Sequence, residues 1–105
     1  MNNEINFTDY QIEAYKFKAY PDVSYPVLGL AEEAGEVCGK FAKAIRKGVP
    51  VNEDDLKKEL GDVLWMLAAI CTEHDIDLEE VASLNIEKLN DRQARDVIVG
   101  EGDNR

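Results

Sequence analysis

Glu33-Ala34-Gly35-Glu36-Val37 and Glu59-Leu60-Gly61-Asp62-Val63 repeat one phrase, acid, apolar, Gly, acid, Val, 26 positions apart in a chain of 105 residues. Within each copy the acids stand three apart, which a helix places on one face. Leu30 and Val37 lie three before and four after Glu33, as Leu56 and Val63 do around Glu59, so each acid sits in a stripe spaced for burial. An unpaired buried carboxylate costs several kcal/mol or more, so these acids must be paired, protonated or bound to a cation. Two such helices packed face to face would pool four carboxylates. Both phrases also place Gly before the second acid, at a cost of roughly 1 kcal/mol relative to Ala in a helix interior. Close backbone approach of the two helices at Gly35 and Gly61 is the expected compensation.

The rest of the chain reads as helices around this pair. Thr8 and Gln11 form a capping box opening a first helix that runs to about Ala19, with Phe7, Tyr10, Ala14, Phe17 and Tyr20 on one side. Pro21 to Ser24 is a loop, and Pro26 suits the first turn of a second helix, whose stripe is Leu30, Ala34, Val37, Phe41 and Ile45. Lys40, Lys43, Arg46 and Lys47 favour its C-terminal end and Gly48 stops it. Asn52 caps a third helix with Glu53, Asp54 and Asp55 in its first turn. From Leu60 to Cys71 that helix is apolar almost all round, which predicts burial by its own domain and by a second subunit. Asp77 and Glu80 form a further capping box before a fourth helix carrying Leu78, Val81, Ala82, Leu84, Ile86 and Leu89 and fading near Arg95. No segment alternates as a strand. The expectation is an all-α, four-helix-bundle-like single domain over residues 1–95, completed by oligomerisation, with residues 96–105 as a tail and Val97-Ile98-Val99 as a short clasp on a neighbour.

Charge narrows the partners. Twelve Lys plus Arg against 22 Asp plus Glu give a net charge of −10, which argues against general affinity for nucleic acid or anionic membrane and favours cations. No stretch offers a signal peptide or a run of about 18 apolar residues, so a cytoplasmic protein is expected. Cys38 and Cys71 fall in apolar helical stretches and read as buried thiols, and one histidine, His74, leaves no Cys/His zinc site. His74 itself reads as a helix-end residue.

An acid cluster without His or Cys suits a hard cation, Mg²⁺ or Mn²⁺. Glu32 adds a fifth carboxylate four before Glu36, a like-charge spacing that is destabilising until a cation offsets it. The plainer reading is a set of ordinary salt bridges, Glu36 with Lys40 for example. A di-iron bundle fits less well, since its Glu-x-x-His pairs are missing. The run EEAGE, Glu32 to Glu36, followed after 22 residues by ELGD, Glu59 to Asp62, resembles the EExxE…ExxD signature of the MazG-like, all-α nucleoside triphosphate pyrophosphohydrolases. The likeness extends over roughly Leu28 to Arg92, including Leu28-Gly29-Leu30-Ala31, Asp62-Val63-Leu64 and Asn85-x-x-Lys88-x-x-x-Arg92.

That resemblance implies Mg²⁺-dependent hydrolysis of a nucleoside triphosphate to monophosphate and pyrophosphate, by a homodimer or homotetramer. It implies that Glu33, Glu36, Glu59 and Asp62 bind metal, and that Glu32 or Glu33 orients or deprotonates the attacking water. Lys88 and Arg92 are then expected to face the phosphates, and Asn85 the base or sugar, against the alternative of solvated helix surface. Phe17 and Tyr20 are candidates to stack on a base, or core residues. Dimeric dUTPases and phosphoribosyl-ATP pyrophosphatases carry similar carboxylate-rich helices, so the substrate stays open, as does a non-catalytic helical module with a structural ion.

Overall fold

Four helices make up the computed structural model, which describes residues 4–96: α1 (Phe7–Tyr15), α2 (Tyr25–Lys47), α3 (Glu53–Glu73) and α4 (Leu78–Ala94). No strand occurs among the described residues, so the class is all-α as expected. The expected clasp at Val97 to Val99 and the rest of the tail lie outside the described residues.

α2 and α3 form the spine. Pro26 occupies the first turn of α2, where its missing N–H is not needed, and Gly48 ends the helix at φ 66, the left-handed conformation that glycine adopts without penalty. Asn52 then caps α3 by accepting the Asp55 N–H at 3.0 Å. So short a connection turns the two helices antiparallel. Gly29 accordingly lies against Met66, Glu33 beside Asp62 and Lys40 beside Glu59.

α1 packs on α3, and α4 meets α1 and α3 but not α2. The first helix differs from the expectation at both ends. Asn6, not Thr8, caps it, accepting the Asp9 N–H at 2.7 Å, and it stops at Tyr15 rather than near Ala19. Thr8 instead donates from its hydroxyl to Asp77 and Glu79 across the α1–α4 contact. Gln11 bridges the same elements: its Oε1 accepts the Leu78 N–H at 2.8 Å and its Nε2 donates to the Ile76 carbonyl at 2.8 Å. Asp77 does cap α4, but through the Glu79 N–H.

The core is small. Ala68, Cys71 and Leu78 form its centre, with Tyr10 and Leu64 packed against it. The stripe α2 buries is Leu30, Glu33, Val37, Lys40 and Ala44, whereas Ala34, Phe41 and Ile45 are exposed, against expectation. Cys38 is exposed too, because it stands on the face of α2 turned away from α3; Cys71 is buried as expected. On that outer face Leu28 and Ile45 are 72% and 78% exposed, and Leu60, Leu67, Val81, Leu84, Ile86 and Leu89 are exposed on α3 and α4.

Glycine placement corrects a further expectation. A Cβ at Gly35 or Gly61 would meet nothing within 4 Å, so neither mediates the approach of α2 to α3. Gly29 does: a Cβ there would run into Met66 Sδ and lie 3.3 Å from its Cγ.

Candidate metal and nucleotide site

Helical spacing puts Glu33 on the buried stripe of α2, and Glu59 and Asp62 one turn apart on α3. The antiparallel spine then brings these three together: one carboxylate oxygen from each lies within 4.8 Å of the other two. Glu33 and Glu59 are half-buried. Burial first, then the charges of Asp62, Glu32, Glu59 and Glu36, push the Glu33 carboxyl above the usual carboxylate range. The other four signature acids therefore all act on Glu33 electrostatically, although Glu32 and Glu36 are exposed and stand outside the three-oxygen group. An all-oxygen donor set under mutual repulsion fits a hard divalent cation.

Lys40 is a neighbour that the sequence reading paired with the wrong acid. Its Nζ lies 3.9 Å from Glu59, across the spine, rather than on Glu36. The signal was available, since Lys40 follows Glu33 by seven residues and so shares its face. Tyr10 adjoins from α1, its hydroxyl held above the ordinary tyrosine range by burial and by the charge of Asp62.

Two cavities flank the acids and share Trp65 as a wall. One, of about 410 Å³, is lined by Tyr10, Ala14, Phe17 and Asp62 among others. The other, of about 320 Å³, is lined by Tyr20, Tyr25, Met66 and Glu33. Of the aromatic residues expected near a base, Phe17 is on the first and Tyr20 on the second. Asn85, Lys88 and Arg92 lie on α4, which meets α1 and α3 but not α2. Asn85 is exposed, Lys88 half-buried and Arg92 buried. His74 is the C-cap residue of α3, away from the acids.

An antiparallel helical spine that joins Glu33 of EExxE on one helix to Glu59 and Asp62 of ExxD on the next places the chain among all-α proteins with a carboxylate cluster between two helices. The family model for the MazG nucleotide pyrophosphohydrolase domain matches residues 25–96, and the chain belongs to that family. It is also similar to the Gene 37 protein of Mycobacterium phage L5, 40% identical over 109 residues that cover 91% of this chain and 96% of that protein. No solved structure matches it. No described helix is long and apolar enough to cross a membrane.

Proposed function

We propose that the protein is a divalent-cation-dependent nucleoside triphosphate pyrophosphohydrolase, cleaving between the α- and β-phosphates to release monophosphate and pyrophosphate. The convergence of Glu33, Glu59 and Asp62 within the family signature is the observation that carries this reading. Together with Glu36 these residues would hold Mg²⁺ or Mn²⁺. A divalent ion there supplies charge neutralisation at the phosphates and Lewis acidity toward their oxygens. Glu32 and Glu33 are the residues assigned to orienting the attacking water and taking its proton.

Asn85 and Lys88 are assigned to the sugar and phosphates. With α4 off α2 in one chain, we place that contact across the interface of a homodimer or homotetramer; Arg92, being buried, is not proposed to touch substrate. Exposed Leu28, Ile45, Leu60 and Leu67 support such an assembly. Light scattering that returned only a monomer near 11.8 kDa at micromolar concentration would remove the interface and the α4 contact with it.

Incubation with each common ribo- and deoxyribonucleoside triphosphate plus Mg²⁺, with separation of the products, tests the reaction. Monophosphate plus pyrophosphate is expected; diphosphate plus phosphate would mean the wrong bond. Asp62→Asn and Glu36→Gln should each lower turnover about 100-fold, the scale of losing one electrostatic contact to the transition state. Full activity in both variants would mean the wrong residues, and no turnover of any nucleotide would favour a helical module with a structural ion.

A further inference from the structure

Glu73, at the far end of α3 from the signature acids, gathers three donors on one oxygen. Its Oε2 accepts the Tyr20 hydroxyl at 2.6 Å, the Tyr15 hydroxyl at 3.2 Å and an ion pair from Lys18 Nζ at 3.1 Å, and its side chain is only 8% exposed. Lys18 Nζ lies 5.0 Å from the Tyr20 ring centroid and 5.3 Å from that of Tyr15, so the cation sits over both rings as well. Tyr20 in turn stacks on Tyr25, with centroids 5.7 Å apart and planes 21° from parallel. Glu73 thus ties the segment between α1 and α2 to the end of α3.

The stacked pair forms one wall of the cavity that also holds Glu33 and Trp65. A cavity with stacked aromatic rings and the Glu33 carboxylate in its lining suits a ligand with an aromatic ring at one end and, through a cation held by the acids, phosphates at the other. The neighbouring cavity offers a looser wall, since Phe17 is 69% exposed. A wall already held in place spares the ligand the cost of ordering it.

We propose that Glu73 is a positioning residue for the nucleobase: by holding Tyr20 and Lys18 it sets the aromatic wall of the Tyr20–Tyr25–Trp65 cavity, and so the affinity for the base rather than for the phosphates. The inference rests on the pyrophosphohydrolase reading for its substrate and adds a subsite built outside the signature. Glu73 touches no phosphate and takes no part in the hydrolysis.

The test uses the full chain with Mg²⁺ and the nucleotide it turns over best. Glu73→Ala removes the anchor, and Tyr20→Phe keeps the ring but removes its hydrogen bond to the carboxylate. Both should raise KM about tenfold, the scale of losing a hydrogen bond to a charged group, with kcat changed less than about threefold. Inhibition by the product monophosphate should weaken in parallel, while inhibition by pyrophosphate, which has no base, should stay at the wild-type value. Tyr20→Phe guards against a Glu73→Ala chain that does not fold, and far-UV circular dichroism reports the helices of both. Unchanged KM in both variants, or pyrophosphate inhibition that weakens in step with monophosphate inhibition, would overturn the assignment while leaving the pyrophosphohydrolase reading intact. If the wild type hydrolyses no nucleotide, that reading falls by itself, and quenching of Trp65 fluorescence by a nucleoside monophosphate becomes the readout. Weaker binding to Tyr20→Phe than to wild type then supports the subsite, and equal binding overturns it.

Discussion

Gly29→Ala and Gly39→Ala are the same chemical change on the same helix, and the structure gives them opposite signs. Adding a methyl group in a helix interior is worth about 0.5–1 kcal/mol from backbone entropy and propensity alone. At Gly39 nothing lies within 4 Å of the new Cβ, so the whole gain should appear. At Gly29 the Cβ overlaps Met66 Sδ and comes to 3.3 Å from Met66 Cγ and 3.5 Å from Tyr25 Cε1. A flexible thioether moves aside cheaply when it has somewhere to go, but Met66 is 4% exposed. Overpacking of that kind costs about 1–3 kcal/mol, which outweighs the propensity gain. The expected result is Gly29→Ala less stable than wild type by about 1 kcal/mol and Gly39→Ala more stable by somewhat less. For a domain of this size the two melting temperatures should differ by roughly 8 °C or more. Urea unfolding followed by circular dichroism, at a protein concentration low enough to keep the chain unassociated, measures both. Gly29→Ala as stable as Gly39→Ala would refute the tight α2–α3 approach on which the convergence of the acids depends.

Millimolar Mg²⁺ should raise the melting temperature, by an amount equivalent to about 2.7 kcal/mol at a hundred times its dissociation constant, and Glu59→Gln should remove most of that response; a melting temperature indifferent to Mg²⁺ would make the acids an ordinary charged face. The hydrogen bond from Tyr20 leads the effects that hold Glu73 below the usual carboxylate range, so its stabilisation is complete above the unfolded-state value near about 4.3 and is lost as pH falls toward the depressed folded value. The stability difference between wild type and Glu73→Gln should therefore shrink on acidification below about pH 4, and a difference that stays constant to pH 2 would refute it. Gly48→Ala, at φ 66, should cost about 1 kcal/mol by the same urea assay, and no loss there would mean that the end of α2 rearranges freely.

Local signals were read well where the responsible residues are neighbours in the chain. Pro26, Gly48 and Asn52 act within a turn of their own positions, and the ends of α2 and α3 came out accordingly. Thr8 and Gln11 carried a valid capping pattern, but Asn6 lies two residues earlier and took the role, freeing both side chains for contacts with α4. Periodicity found Leu30 and Val37 of the buried stripe on α2 yet took in Ala34, Phe41 and Ile45, because apolar residues also line the outer face. The same apolar outer face made Cys38 look buried. Within the acid cluster the register of the repeat was enough to bring Glu33, Glu59 and Asp62 together, while Glu36, one turn on, falls outside that trio. Nothing local marks Glu73, whose tyrosine partners are 53 and 58 positions away.

The bridge that Gln11 makes binds the fates of two helices that are distant in sequence. Its carbonyl satisfies the Leu78 N–H, one of the free donors at the start of α4, and its amide holds the Ile76 carbonyl just before it. When α1 detaches, α4 loses that support at its N-terminus, together with the Thr8 contact to Asp77 and Glu79. The two should therefore open as one cooperative unit while the α2–α3 spine stays closed. In native-state hydrogen exchange, amides of α1 and of the first turn of α4 would share one opening free energy, lower than that of α3, so the carboxylates of the spine can keep their register while the outer helices come and go.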